Sequence, residues 1–345
     1  MKMNILRIKN LILASAALAA LTLAGCAKSE KTEDNEAELR YLEAWVQVNH
    51  PDAQKTELGA YIIEDTPGKG ETFEGDKFAI LQYNIESVDG TISATTDKKI
   101  AQQIGKYDKS YYYGNVVWAA YKGVITEGVL DVLKGMKIGG TRRALIPSWL
   151  FTYSSYKNAG EYYKHAVDKS SAAIYTITLN GLSSDILKTQ VDSMEIYTHK
   201  YLDGVDSTSY GFYYKQLAAP SDTSAFPSDT SIYINYTGRL LNGQVFDTTI
   251  ADTAKFYNVY SSSSKYEPRK ISWGEKDTDL RLYSSSSGDG SEVVTGFSKT
   301  LWQMRAHEKG VGVFFSSYGY QGSGSGSVIP AYSPLVFEIE IVDKP

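Results

Sequence analysis

The sequence predicts an α+β fold in which an antiparallel sheet wraps on one short helix, and it predicts that fold twice. Short runs of alternating apolar and polar residues outnumber helical runs, and no strand–helix–strand alternation runs through the 345 residues. One order of elements (amphipathic helix, strand, Asp-led strand, Gly-started helix) is met again about 150 residues later, the mark of an internal repeat. The stretch from Val293 to Phe337 states the unit most fully. It holds a short apolar strand, a Gly turn, one amphipathic helix and a strand closing in Ser316-Ser317-Tyr318-Gly319-Tyr320. A Gly/Ser loop, Val328-Ile329-Pro330 and a last apolar strand complete it.

At the N-terminus, Lys2, Arg7 and Lys9 precede an apolar run from Leu11 to Leu23. This is the pattern of a secretory signal, residues 1–25, too short for a permanent span. The run ends in Leu23-Ala24-Gly25-Cys26, which resembles the lipobox of bacterial lipoproteins. That resemblance implies cleavage before Cys26 and acylation of its thiol and its new amine. Each buried methylene adds about 0.8 kcal/mol, so two or three chains anchor a protein firmly. The expectation is a protein of the cell envelope, lipid-anchored to a bacterial membrane, the outer one by preference, and facing periplasm or exterior. Cys26 is the only cysteine, which leaves no intrachain disulfide. Residues 26–35 fall within a polar, aromatic-free segment and read as a flexible tether. The net charge of −5 becomes more negative once the basic signal is removed, so nucleic acid is a poor partner.

Residues 36–181 make the first unit. Its leading helix, Glu36 to Asn49, carries Leu39, Leu42, Trp45, Val46 and Val48 and stops at His50-Pro51. Strands follow at Leu58–Ile63 and, after Asp76, at Phe78–Ile85. Residues 182–345 make the second unit. Ser183 or Ser184 caps a helix running to about Tyr201, with Ile186, Leu187, Val191, Met194, Ile196 and Tyr197 apolar. Gly211–Tyr214 and, after Asp229, Ile232–Gly238 are the matching strands. Two Ser/Tyr-rich inserts, 250–268 and 275–292, read as surface loops or a flap beside a groove.

The usual catalytic groups are missing from the pattern. The four histidines share no metal-type spacing, and no nucleophile elbow, P-loop or dinucleotide fingerprint is present. No cofactor or metal is implied. What remains is aromatic. Tyr236-Thr237-Gly238, the turn Leu241-Asn242-Gly243-Gln244 and Phe246-Asp247 are followed by Val293-Val294, Gly296-Phe297, Met304, Tyr318-Gly319-Tyr320, Val328-Ile329-Pro330 and Leu335-Val336-Phe337. This set resembles the signature of FKBP-type peptidyl-prolyl cis-trans isomerases, and Gly211–Tyr214 resembles the lead-in strand of secreted members.

The resemblance implies two tandem FKBP-like domains and, in the second, a proline pocket. Phe297 would be its floor, where the family usually has Trp. Tyr236, Phe246, Val293, Ile329 and Phe337 would be its walls. Val294 would offer its backbone N–H to a substrate carbonyl, with Asp247 and Tyr320 supplying polar contacts at the rim. Arg269 stands where the family adds an aromatic wall, and His307 and Gln321 stand at two usual glycines. The first unit keeps the scaffold run Gly135–Pro147 but has Tyr83-Asn84-Ile85, Ile92-Ser93 and Val129 at pocket positions, with Thr152 or Tyr153 at the rim. The implied activity is isomerisation of Xaa-Pro bonds in unfolded or extracytoplasmic proteins, confined to the second domain, with macrolide-type inhibitors as further ligands. The competing expectation is a lipoprotein that binds proteins or peptides on both scaffolds without turnover. Replacing Cys26 with Ser is expected to abolish incorporation of labelled fatty acid in the bacterial host; labelling that persists would exclude the lipid anchor.

Overall fold

The computed structural model describes residues 30–165, 171–284 and 287–345, so the signal segment and Cys26 lie outside the described residues. In the first half, α1 (Glu30–Asn49) leads into β1 (Gln54–Lys55), β2 (Tyr61–Thr66), β3 (Lys77–Ser87) and β4 (Ile92–Thr95). There follow α2 (Lys98–Gln103), β5 (Val116–Ala120), α3 (Glu127–Leu133), β6 (Thr141–Ile146), α4 (Ala159–Lys164) and β7 (Ala173–Ser183). The second half opens with α5 (Ile186–Tyr201), β8 (Ser207–Ser209), β9 (Phe212–Ala218), β10 (Ser231–Leu240) and β11 (Val245–Thr248). It continues with α6 (Ala251–Tyr257), β12 (Arg269–Ser272), β13 (Arg281–Ser284), β14 (Ser287–Glu292), α7 (Thr295–Gln303), β15 (Lys309–Phe314) and β16 (Leu335–Val342).

The two sheets have one topology. The first runs β1-β2-β6-β7-β3-β4, with β5 also on β3. The second runs β8-β9-β15-β16-β10, with β11 on β10 and β12-β13-β14 beyond it. The named strands pair antiparallel throughout, as in the long contacts β3·β7 and β10·β16. The α+β class and the doubled unit expected from the sequence are therefore the fold observed.

Each sheet lies on a short helix. Phe297 and Leu301 of α7, with Met304 just beyond it, join Phe314, Phe337 and Ile339 of the strands in one core, and Val129, Val132 and Leu133 of α3 do the same in the first half. The contact is close. A side chain on Gly296 would enter the ring of Phe314, and one on Gly128 would come within 2.6 Å of Ile146 and 2.7 Å of Leu150. The leading helix α5 packs its buried Met194 in a second cluster with Val311, Val313 and Val336. Gln190 ties it down, donating to Ser316 Oγ and accepting from Ser316 N–H at 3.0 and 2.7 Å. In the first half Glu38 of α1 holds the equivalent Ser148, accepting from its N–H at 2.9 Å and from its hydroxyl.

Several sequence expectations are corrected. Helix α1 starts at Glu30, so residues 30–35, expected as tether, are its first turns; no Gly or Pro in this polar run opposes helix. Asp185, not Ser183 or Ser184, caps α5, accepting from Lys188 N–H at 3.0 Å, because β7 holds Ser183 in the sheet. Val48 and Ile196 are exposed, at 80% and 70%, since their helices bury only a narrow stripe. Segment 275–292 is not a loop: the β13–β14 hairpin extends the sheet from β12, with Leu282 opposite Ile271.

His307 and Gln321, at positions where the resemblance called for glycine, adopt left-handed backbone at φ 59° and 51°. A side chain makes that conformation costly. The exposed Gln321 gives nothing in return beyond its backbone bonds to Ser316 and Tyr332. Gln321→Gly is therefore expected to raise the free energy of unfolding by up to about 1 kcal/mol in urea titrations; a loss of stability would overturn the strain argument.

Candidate active site

β10 is the strand on which the site is assembled. Its Gly238 lies opposite Phe337 on one side and Asp247 on the other, bringing β16 and the β10–β11 hairpin to one point of the sheet. A Cβ on Gly238 would lie 2.5 Å from the Phe246 ring and 3.0 Å from Phe337, so only glycine lets the two rings close in. Phe297 rises into the same space from the first turn of α7.

The four aromatic rings meet edge to face. Phe297 and Phe337 have centroids 5.0 Å apart at 85°, Tyr236 and Phe297 5.5 Å at 83°, and Phe246 and Phe337 5.5 Å at 75°. Such contacts set a ring's positive edge against a neighbour's negative face, and they fix ring orientation as well as adding stability. Phe297, Phe337 and Ile329 are buried, while Tyr236, Phe246, Val293, Val294 and Tyr320 are half-buried in the same cluster. The residues gathered from the sequence thus lie together in one apolar cluster, with Asp247 exposed at its edge.

The margin is rich in hydrogen-bond donors. Tyr236 donates its hydroxyl to Asp247 Oδ2 at 2.6 Å. Burial, and then the charge and hydrogen bond of Asp247, push the Tyr236 phenol far above its ordinary pKa, against a smaller opposing pull from Arg269. Burial and the Asp247 charge raise Tyr320 as well. Both phenols therefore stay protonated at any physiological pH. Val294 caps α7: its carbonyl accepts from Phe297 and Ser298 N–H at 2.9 and 3.2 Å. Its own N–H forms no hydrogen bond among the described residues. Beside the aromatic floor, and sharing Tyr236 with it, lies a cleft of about 670 Å³ lined by Lys265, Arg269, Lys270 and Lys344 with Glu267. Among the described residues no group of three or more His, Cys, Asp or Glu side chains is placed to hold a metal ion.

The first domain repeats the frame without the box. Tyr83 N–H donates to Thr96 Oγ1 at 2.8 Å, as Tyr236 N–H donates to Thr249 Oγ1 at 2.9 Å, so the two strands are in one register. In that register Ile85 faces Tyr175 where Gly238 faces Phe337, and Ile85 faces Ala94 where Gly238 faces Asp247. Ser93-Ala94, not Ile92-Ser93, therefore occupy the Phe246-Asp247 positions, because a bulge at the same place in both hairpins fixes the count. Val129 takes the floor position in α3. Thr152, at the same distance from Ser148 as Tyr320 from Ser316, takes the rim, and Tyr153 is exposed at 61%. Tyr112 of the first domain packs against the second domain's hydrophobic cluster. Sequence reasoning did not single it out, although the run Tyr111-Tyr112-Tyr113 in a polar loop is its signal.

Residues 223–342 match the family of FKBP-type peptidyl-prolyl cis-trans isomerases. The chain is 30% identical over 129 residues to "FK506-binding protein 1A" of Aspergillus fumigatus, covering 37% of this chain and 90% of that protein. It is 27% identical over 139 residues to a "Probable FKBP-type peptidyl-prolyl cis-trans isomerase" of Haemophilus influenzae, covering 40% of this chain and 45% of that protein. A solved peptidyl-prolyl cis-trans isomerase of Pseudomonas syringae pv. tomato is 23% identical, covers 46% of this chain and 92% of its own, and has a TM-score of 0.31.

Gly238→Ala is expected to lower stability by about 1–3 kcal/mol through overpacking. It should change the near-ultraviolet circular dichroism of the ring cluster while leaving the far-ultraviolet spectrum intact. An unchanged aromatic signal would show that Gly238 does not hold the rings together.

Proposed function

The chain belongs to the FKBP-type peptidyl-prolyl cis-trans isomerase family, and we propose that its second domain catalyses rotation about Xaa–Pro bonds in unfolded extracytoplasmic proteins. The observation that carries this reading is the aromatic box of Tyr236, Phe246, Phe297 and Phe337 beside Val294, whose N–H has no partner among the described residues. The reaction needs no nucleophile. Amide resonance sets a barrier of about 18–20 kcal/mol, so uncatalysed rotation takes tens of seconds or longer. An apolar pocket disfavours the polar, planar amide relative to its less polar twisted form. Apolar walls grip the proline ring, while Val294 N–H holds the neighbouring carbonyl and Tyr320 O–H, kept protonated, donates at the rim. Binding is then tighter in the twisted transition state than in the ground state.

The first domain, with Ile85, Ser93 and Val129 at pocket positions, supports binding or spacing, not turnover. Anchoring through Cys26 in an envelope compartment fits a foldase acting on newly exported chains, whose slow proline steps limit folding. Arg269 and its neighbouring lysines favour peptides with an acidic side chain near the proline. FK506-type macrolides, named for relatives of this chain, are the inhibitors to try. A second reading, binding without turnover, draws on Arg269 standing in place of an aromatic wall.

The full chain is expected to accelerate isomerisation of a chromogenic Xaa-Pro tetrapeptide. Phe246→Ala and Asp247→Ala should each lower kcat/KM by roughly tenfold or more, the equivalent of about 1.4 kcal/mol at the transition state. No acceleration by the unaltered protein, or the same rate in both variants, would leave only the binding reading.

A further inference from the structure

The first domain reaches the turn before Phe246 and the loop before Ile329 through residues 105–114, a strap bracketed by Gly105 and Gly114 at φ 70° and 143°. Two consecutive residues of the strap bridge the two segments that carry pocket walls. Tyr111 carbonyl accepts from Gln244 Nε2 at 3.1 Å, in the turn that delivers Phe246. Tyr112 N–H donates to the carbonyl of Ser327 at 3.0 Å, two residues before Ile329. The Tyr112 side chain is half-buried against the second domain's hydrophobic cluster, which includes Ile329. Phe78 of β3 makes a further tie, edge-on to Tyr332 at 5.1 Å on the far side of Ile329. Lys109 Nζ completes the contact with Asn258 Oδ1 at 3.0 Å, at the end of α6.

The strap is itself held in shape. Tyr112 O–H donates to Asn115 carbonyl at 2.9 Å, Asp108 N–H to Tyr113 Oη at 3.1 Å, and Ser110 N–H to Asp108 Oδ1 at 2.8 Å. Gly114 N–H donates to the carbonyl of Thr96, which fastens the strap to its own sheet at 2.9 Å. A segment ordered in advance can brace a loop without a large entropy loss on contact. The loop it contacts, 321–332, lies outside the named helices and strands; Ser325 and Ile329 exchange backbone hydrogen bonds at 2.8 and 3.1 Å, which makes Ser327, the strap's partner, the tip of the turn that presents Ile329.

We infer that the first domain is a positioning element for the second: its Tyr111–Tyr112 strap and Phe78 hold the 321–332 loop so that Ile329 completes the proline pocket. Tyr112 is a positioning residue, acting through the Ser327–Ile329 backbone. The inference rests on the isomerase reading for its kinetic consequence but not for its structural one.

The test uses the full chain with Tyr112→Ala, Tyr112→Phe and Gln244→Ala. With a chromogenic Xaa-Pro tetrapeptide, Tyr112→Ala should raise KM roughly threefold to tenfold, the worth of one aromatic contact, with kcat within a factor of about two. Tyr112→Phe keeps the ring and should restore KM. Amide exchange of 325–329 should quicken in Tyr112→Ala while β10 and β16 keep their protection. Gln244→Ala cuts the bridge from the second domain's side without touching the strap's own fold, and should move KM and exchange in the same direction. Unchanged KM together with unchanged loop exchange in both Tyr112→Ala and Gln244→Ala would overturn the inference. If the unaltered chain turns over no peptide, the isomerase reading fails, and the exchange measurements alone decide the strap.

Discussion

A helix can come as near to its sheet as α7 does only where one residue offers no side chain to the strand beneath. Gly296 is that residue: any larger one would occupy the ring of Phe314. The close approach has consequences along the whole site. Phe314 lies parallel to Phe337, with centroids 5.9 Å apart, and Phe337 in turn receives the edges of Phe297 and Phe246. A helix standing farther off would lift Phe297 away from Phe337 and open the floor to water. The same device, Gly128 against Ile146 and Leu150, closes the first domain. The same close approach of helix to sheet recurs in both halves.

The halves diverge around one position on the central strand. Gly238 leaves space that Phe246 and Phe337 fill; Ile85, its counterpart, carries a side chain there, and Ser93 replaces the phenylalanine. The polar margin diverges in step. Tyr236 has Asp247 to accept its hydrogen bond, whereas Tyr83 is tilted against Trp118 at 4.9 Å and has Ala94 at the aspartate's position. A shared fold thus carries different side chains at corresponding positions of its two copies.

The first domain's retained shape still has a use at the second domain's pocket. Its strap and Phe78 contact the hairpin turn and the long loop, two of the less regular segments of the second domain. Pocket walls carried on loops are as well placed as whatever supports those loops. A domain without an aromatic box can serve as that support.

The sequence alone determined the fold class and the repeat. Helical and strand periodicities are local, which is why both were legible; Tyr236, Phe246, Asp247, Phe297, Tyr320 and Phe337 were singled out only through the family resemblance, and the pairing of β10 with β11 and β16 brings the first three and Phe337 together. Element ends were less legible: Ser183 and Asp185 are both good caps, and only the pairing of β7 put one in the sheet and the other on the helix. The inserted segment 275–292, rich in Ser, Gly and Asp, gave no period-two signal, and it became strands because Leu280 and Leu282 found a core edge to cover. The one-residue offset of Ser93-Ala94 came from a bulge, which costs one residue of register and leaves no trace in composition. The contact of Tyr112 with the other domain was decided entirely by tertiary structure. Residues 112 and 327 are far apart in the chain, and no local propensity encodes a hydrogen bond between two loops.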